Sequence, residues 1–198
     1  MKRRTRGFTL MELMITLALA AVIFGLGVPA FRNFAQNGRL TGAANDMLVT
    51  IIAARNEAVR RQGIVSFCPS TTPASTTATC TGTATQGYIS FVDVNGDCQR
   101  NGADEVIANM SIHSEVTSKK NTTCISFGPS GFRRLIAGQP TTSRALYCDS
   151  RGLVRPFPAS TDSVGRGVET LPTGRASVSR VYTELNNWNA GGNPVTCP

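Results

Sequence analysis

From Phe8 to Phe31 the chain runs for 24 residues with Glu12 as its only charged side chain. Lys2, Arg3, Arg4 and Arg6 stand directly in front of this run. As an α-helix it would extend roughly 36 Å, enough to cross a hydrocarbon core of about 30 Å. The cations in front would remain on the cytoplasmic side. A cleavable secretory signal is the competing reading, with Ala18-Leu19-Ala20 as its cleavage site. The apolar run continues for eleven residues past Ala20. A carboxylate in its first turns also does not suit a signal, so a single membrane anchor is the better reading. Hydrophobic residues make up 41% of the 198 residues and aromatics 7%, which excludes both a disordered chain and a multi-pass membrane protein.

Gly25, Gly27 and Pro29 lie near the end of the run, where a missing backbone donor predicts a kink or local melting. Helical spacing then resumes. Leu40, Ala44, Met47, Ile51, Ala54 and Ala58 fall on one apolar stripe, and Arg55, Glu57, Arg60 and Arg61 mark the polar side. Gly63 is a natural stop. One long helix is therefore expected, bare and apolar in its first half, amphipathic and docked on a domain in its second. Glu12 is the anomaly, because a carboxylate amid lipid is costly unless paired.

The basic leader ending in Gly7, the run Phe8-Thr9-Leu10-Met11-Glu12-Leu13 and the apolar helix with Pro29 together resemble a type IV pilin or pseudopilin. That resemblance implies cleavage between Gly7 and Phe8 by a prepilin peptidase and N-methylation of the new terminus at Phe8. It also implies that Glu12, the fifth mature residue, serves assembly by meeting a neighbouring subunit's α-amino group. Losing the leader removes four cations and leaves half of the formal net charge of +8.

Past Gly63 the pattern becomes short and β-rich. Strands are expected at Ile64–Cys68, Gly87–Val94, Thr123–Phe127, Arg144–Cys148 and Arg175–Thr183, with weaker signals at Glu105–Met110, Gly131–Ile136 and Leu153–Phe157. Ser70–Gln86 reads as a surface loop and Asn186–Pro198 as a loose tail. The six cysteines, Cys68, Cys80, Cys98, Cys124, Cys148 and Cys197, all follow the anchor. An even count in an exported segment suggests disulfides. Fifteen pairings are open, and Cys68–Cys80, Cys98–Cys124 and Cys148–Cys197 is the one we favour. A zinc site is disfavoured, since there is no C-x-x-C pair and His113 is the only histidine. The runs Ser90–Asp97, Tyr147–Gly152 and Thr173-Gly174-Arg175 resemble the GspH/FimT/FimU family of minor pilins and pseudopilins. That resemblance implies a spine helix with a two-sheet β domain.

Other sites are weaker. Asp93, Asn95 and Asp97 alternate like a calcium loop, but Cys98 and Asp104 stand where that loop needs Gly and Glu. A polar turn at Asn95-Gly96 is the simpler reading, and no metal or cofactor is expected. No nucleophile, P-loop or dinucleotide motif is present, so an enzyme is not expected. Between Gly131 and Tyr182 stand eight arginines against Asp149, Asp162 and Glu169, a composition suited to phosphate. Some members of the resembled family bind DNA through Gly-Arg-x-Arg. Gly174-Arg175 matches, but Ser177 takes the last place and Arg180 lies five residues on, so a bulge or strand end would be needed to align the two. Arg175, Arg180, Arg151 and Arg155 are the candidate DNA contacts, against a solvated basic face or one that meets acidic partners.

The expected architecture is α+β: a leader at 1–7, a spine helix at 8–63 with 8–31 as the transmembrane and assembly segment, and an antiparallel two-sheet domain at 64–198. The function so implied is that of a minor pilin at the pilus tip that initiates assembly, with DNA capture for uptake as an added role. A pseudopilin of a type II secretion system is the alternative. The implied partners are other minor pilins, the major pilin, prepilin peptidase, the inner membrane before assembly, and DNA. The implied location is the inner membrane with a periplasmic domain, then the pilus and cell surface.

Overall fold

A computed structural model describes residues 8–81, 86–102, 104–190 and 197. Gly7 and the leader lie outside these residues. The chain divides into two compact units, Met1–Gly38 and Arg39–Pro198. Helix α1, Leu10–Arg61, runs through the division.

In the first unit α1 is apolar on every side, and Leu10, Met11, Leu13, Met14, Leu17, Ile23, Phe24, Leu26, Phe31 and Phe34 are all exposed. An 18-residue window here has a mean hydropathy of 2.3, so the helix is long and apolar enough to cross a membrane. The helix continues without a break through Gly25, Gly27 and Pro29, so the local melting expected there does not occur. A proline removes one backbone hydrogen bond, and the neighbouring turns hold the helix together around it.

In the second unit α1 buries one stripe: Leu40, Ala43, Ala44, Met47, Thr50, Ile51, Ala54 and Ala58. The helix stops as the chain passes Gln62, whose φ is 50°. The Gly63 amide donates to the Ala58 carbonyl at 3.1 Å and closes the end. The stripe packs on two antiparallel sheets. The first has the order β3-β2-β1-β5-β6, from β1 Val65–Ser70, β2 Gly87–Val92, β3 Val106–Ser111, β5 Ile125–Phe127 and β6 Arg133–Arg134. The second has the order β4-β7-β8-β9, from β4 Thr117–Lys120, β7 Ser143–Cys148, β8 Asp162–Thr170 and β9 Ala176–Val181. Register is set by pairs such as Val65 with Val92 on one side and Phe127 on the other.

The main core joins the α1 stripe to Val65, Phe67, Tyr88, Phe127, Tyr147 and Val168. Phe67 and Tyr88 stack with ring centroids 4.9 Å apart, and the Tyr147 hydroxyl donates to Met47 Sδ at 2.9 Å. Two smaller clusters cover the outer faces. Cys68, Ala78, Ile89 and Phe91 pack together, which explains why β1 is buried along its whole length. Leu146, Cys148 and Leu185 form the other, with Leu153, Trp188 and Cys197 against it. Leu185 and Trp188 belong to α2, Tyr182–Ala190. Disulfides join Cys68–Cys80, Cys98–Cys124 and Cys148–Cys197, with Cα separations of 5.5, 6.2 and 6.0 Å.

Three sequence expectations fail locally. Leu153–Phe157 is bends and irregular chain rather than a strand, because Pro156 and Pro158 interrupt the ladder donors. The strand signal at Gly131–Ile136 shrinks to Arg133–Arg134. The tail read as loose from Asn186 carries α2 through Ala190. Strand β8 was not expected at all. Its Gly167 is required by packing, since a Cβ there would lie 2.4 Å from both Leu185 and Trp188.

Candidate functional site: the helix head and the arginine-bearing sheet

The head of α1 is built by a local capping pattern. Thr9 precedes the helix, and its Oγ1 accepts the Glu12 amide at 3.2 Å while its carbonyl accepts the Leu13 amide at 3.2 Å. Thr9-x-x-Glu12 is thus a capping-box spacing, with Glu12 in the first turn, where the helix dipole favours an anion by about 0.3–1 kcal/mol. This role for Thr9 was missed in the sequence, although the Thr-x-x-Glu signal is visible there. The cap satisfies backbone donors, while the Glu12 side chain is exposed and has no partner among the described residues. Phe8 is 77% exposed beside it.

The arginine-bearing half of the chain is mostly tied into its own fold. Arg151 grips Asp149, with Nε donating at 3.0 Å and Nη2 at 2.6 Å. Burial opposes ionisation of Asp149, but these bonds outweigh it and hold its carboxyl below the usual range. Arg180 pairs with Asp162 at 3.0 Å. Arg155 lies over the Tyr182 ring at 4.6 Å. Arg144 pairs with Glu169 at 2.9 Å and sits over Trp188. Arg166 donates to the carbonyls of Ser163, Val164 and Gly165 and to Thr41 Oγ1. Buried Arg133 donates to the carbonyls of Thr141 and Thr170, and Arg134 to that of Gly96.

Arg175 differs. It is exposed and, among the described residues, its side chain has no partner. The structure does not bring Arg175 and Arg180 together. Arg175 precedes the first residue of β9 and Arg180 is its penultimate residue, a separation of roughly 16 Å along the strand. Gly174 has a packing reason of its own. Its φ is +78°, and a Cβ would meet the Gly131 carbonyl at 2.3 Å and Arg55 Nε at 3.0 Å. Arg55 Nε donates to that same carbonyl at 2.8 Å. Arg55, which sequence reasoning placed only on a polar helix face, therefore clasps two turns to α1.

The Asp93–Asp104 loop uses its acids on its own amides. Asp93 Oδ2 accepts from Ser66 Oγ at 2.6 Å and from the Cys98 amide at 3.0 Å. Asp104 accepts the Val94 and Asn101 amides. The Gln99 amide, with Asn101 and Asn95, holds the Asp97 carboxyl below its ordinary value. Among the described residues, no group of three or more His, Cys, Asp or Glu side chains is placed to hold a metal.

Comparison with known proteins agrees with this architecture. Residues 43–174 match the family described as type II transport protein GspH, and residues 2–28 match the prokaryotic N-terminal methylation motif. Prepilin peptidase-dependent protein D of Escherichia coli (strain K12) is 38% identical over 52 residues, 26% of this chain. The match spans about a third, 33%, of that relative's length. The crystal structure of the Pseudomonas aeruginosa (strain PAO1) type IV minor pilin FimU superposes with a TM-score of 0.51 at 18% identity, covering 83% of this chain and 99% of that one. That likeness bears on the fold. From the matched family, the methylation motif and the long helix on a two-sheet domain, the chain belongs to the GspH/FimT/FimU family of type IV minor pilins and pseudopilins.

Proposed function

We propose that the chain is a minor type IV pilin, cut between Gly7 and Phe8, N-methylated at Phe8, held in the inner membrane by α1, and incorporated at the pilus tip to initiate assembly. The observation that carries this reading is the head of α1. It is an apolar helix exposed on every side whose one carboxylate, Glu12, has no partner among the described residues. Both features are costly in an isolated subunit, and both are answered by the same feature in a neighbour. Apolar helices pack against each other, and a neighbour's α-amino group at Phe8 neutralises Glu12. The periplasmic domain then meets other minor pilins and the major pilin. The test compares Glu12→Ala with wild type in the native cell. Processing should persist while incorporation into sheared filaments falls at least tenfold. Unchanged incorporation would sink the role given to Glu12.

Assembly into the pseudopilus of a type II secretion system is a second reading, favoured by the match to the type II transport protein GspH family. Deletion separates the two: loss of surface filaments supports the pilus, and loss of exported enzyme activity with filaments intact supports secretion. DNA capture is a further role carried by one observation, the exposed guanidinium of Arg175, which has no partner among the described residues. The pairing of Arg151 and Arg180 with aspartates, and of Arg155 with Tyr182, leaves Arg175 as the leading contact.

A further inference from the structure

Lys120 is the last residue of β4, an edge strand of the second sheet, where it pairs with Ala145 of β7. Residues two apart on a strand share a face. Ser118 faces inward, its Oγ 2.7 Å from the Tyr88 hydroxyl of the opposite sheet. Lys120 follows it inward, and its Nζ lies 5.4 Å from the centre of the Tyr88 ring. The amine is buried and, among the described residues, has no hydrogen-bond partner. The cavity beside it, lined by Met47, Phe67, Tyr88, Thr122 and Ser143, measures about 10 Å³, too small for the hydration shell of an ammonium ion.

Among the described residues, no acidic side chain pairs with the amine. Tyr88 from β2 and Tyr147 from β7 face the same interior, and burial raises both hydroxyls above their ordinary range, so both are neutral. β1 brings Phe67 and β5 brings Ile125, with the disulfide-bonded Cys124 just ahead of it. From α1 comes Met47; Asp46 beside it lines a separate groove with Asn109 and Ser111, and its charge helps raise Tyr147. Arg144 of β7 is paired to Glu169, and Lys119 alternates to the other face of β4. An ammonium in this position is expensive, and burial accordingly pushes Lys120 down to about 7.

We propose that Lys120 makes the end of β4 a proton-operated latch. The neutral amine stays under Tyr88 and keeps β4 closed on the opposite sheet. The protonated amine reaches water only by withdrawing from between the sheets, and the end of β4 leaves with it. Each opening takes up one proton from solvent. The closed amine titrates near 7 and a hydrated one at about 10.4. Between those limits the open fraction rises about tenfold for each unit that pH falls. Below the lower limit both forms are protonated, and the dependence ends.

The test is amide hydrogen exchange at Thr117–Lys120 in the full mature chain in detergent micelles, between pH 7 and 9, corrected for the intrinsic pH dependence of exchange. Wild type should open about fiftyfold more at pH 7 than at pH 9, because the closed amine is itself half protonated at pH 7. Lys120→Met should be closed and independent of pH. A flat wild-type profile, or an equal slope in Lys120→Met, overturns the latch. Titration of the Lys120 side-chain resonance in wild type gives a reading that does not depend on the variant folding. A midpoint near 7 supports the proposal, and one near 10.5 overturns it.

Discussion

The Cys148–Cys197 disulfide should be the strongest of the three staples. It closes 49 residues of sequence, against 26 for Cys98–Cys124 and 12 for Cys68–Cys80. Loop-closure entropy in the unfolded chain then gives about 4, 3.5 and 3 kcal/mol respectively. The longest staple also sits under α2. Cys148 is fully buried beside Leu146 and Leu185, and Cys197 packs on the same cluster. The perturbation is Cys148→Ala/Cys197→Ala, with alanine chosen because a buried serine would add an unpaired hydroxyl. The assay is guanidinium unfolding of the mature chain in micelles, followed by Tyr and Trp fluorescence, with the Cys68→Ala/Cys80→Ala variant beside it. A loss of about 4 kcal/mol, exceeding that of the shorter loop, is expected. A loss under about 1 kcal/mol, or the reverse order, would refute the claim that chain constraint dominates. Exchange confined to α2 amides, with global stability intact, would mean that the staple only docks the helix.

Gly174→Ala should cost about 1–3 kcal/mol, because the added Cβ meets the Gly131 carbonyl in a left-handed turn; a melting temperature equal to wild type would remove the clasp argument. Glu57 is lowered to about 2 by hydrogen bonds from Arg60 and then Arg61. Its contribution is therefore complete above its ordinary value of 4.5 and is lost as pH falls toward 2. Acid titrations of wild type and Glu57→Gln should converge at the acid end, and parallel curves would contradict this. For DNA, Arg175→Ala should weaken salt-sensitive binding in an electrophoretic shift assay more than Arg180→Ala does, since Asp162 already engages Arg180. Equal effects would point to a diffuse basic face.

The parts legible in the sequence are those set by local chemistry. The buried stripe from Leu40 to Ala58 was plain because helical spacing imposes it. Strands β1, β2 and β7 showed as compact runs of β-formers. Strand β8 did not, since Asp162-Ser-Val-Gly-Arg-Gly-Val-Glu-Thr carries two glycines that make sense only with Leu153, Leu185 and Trp188 packed above them. Helix α2 was hidden by Asn186 and Asn187, poor helix formers that docking of Leu185 overrides. The density of arginines was visible, but their partners were not. Arg133 answers the Thr141 and Thr170 carbonyls and Arg166 the Thr41 hydroxyl, partners that only the tertiary fold brings within reach.

A minor pilin of the proposed kind starts at Phe8 and works inside a filament. Mass spectrometry of the amino-terminal peptide from sheared surface filaments of the native cell tests both at once. The expected result is a peptide beginning with N-methylated Phe8. A filament fraction lacking the chain, or a chain that retains Met1–Gly7 or begins after Ala20, would contradict it.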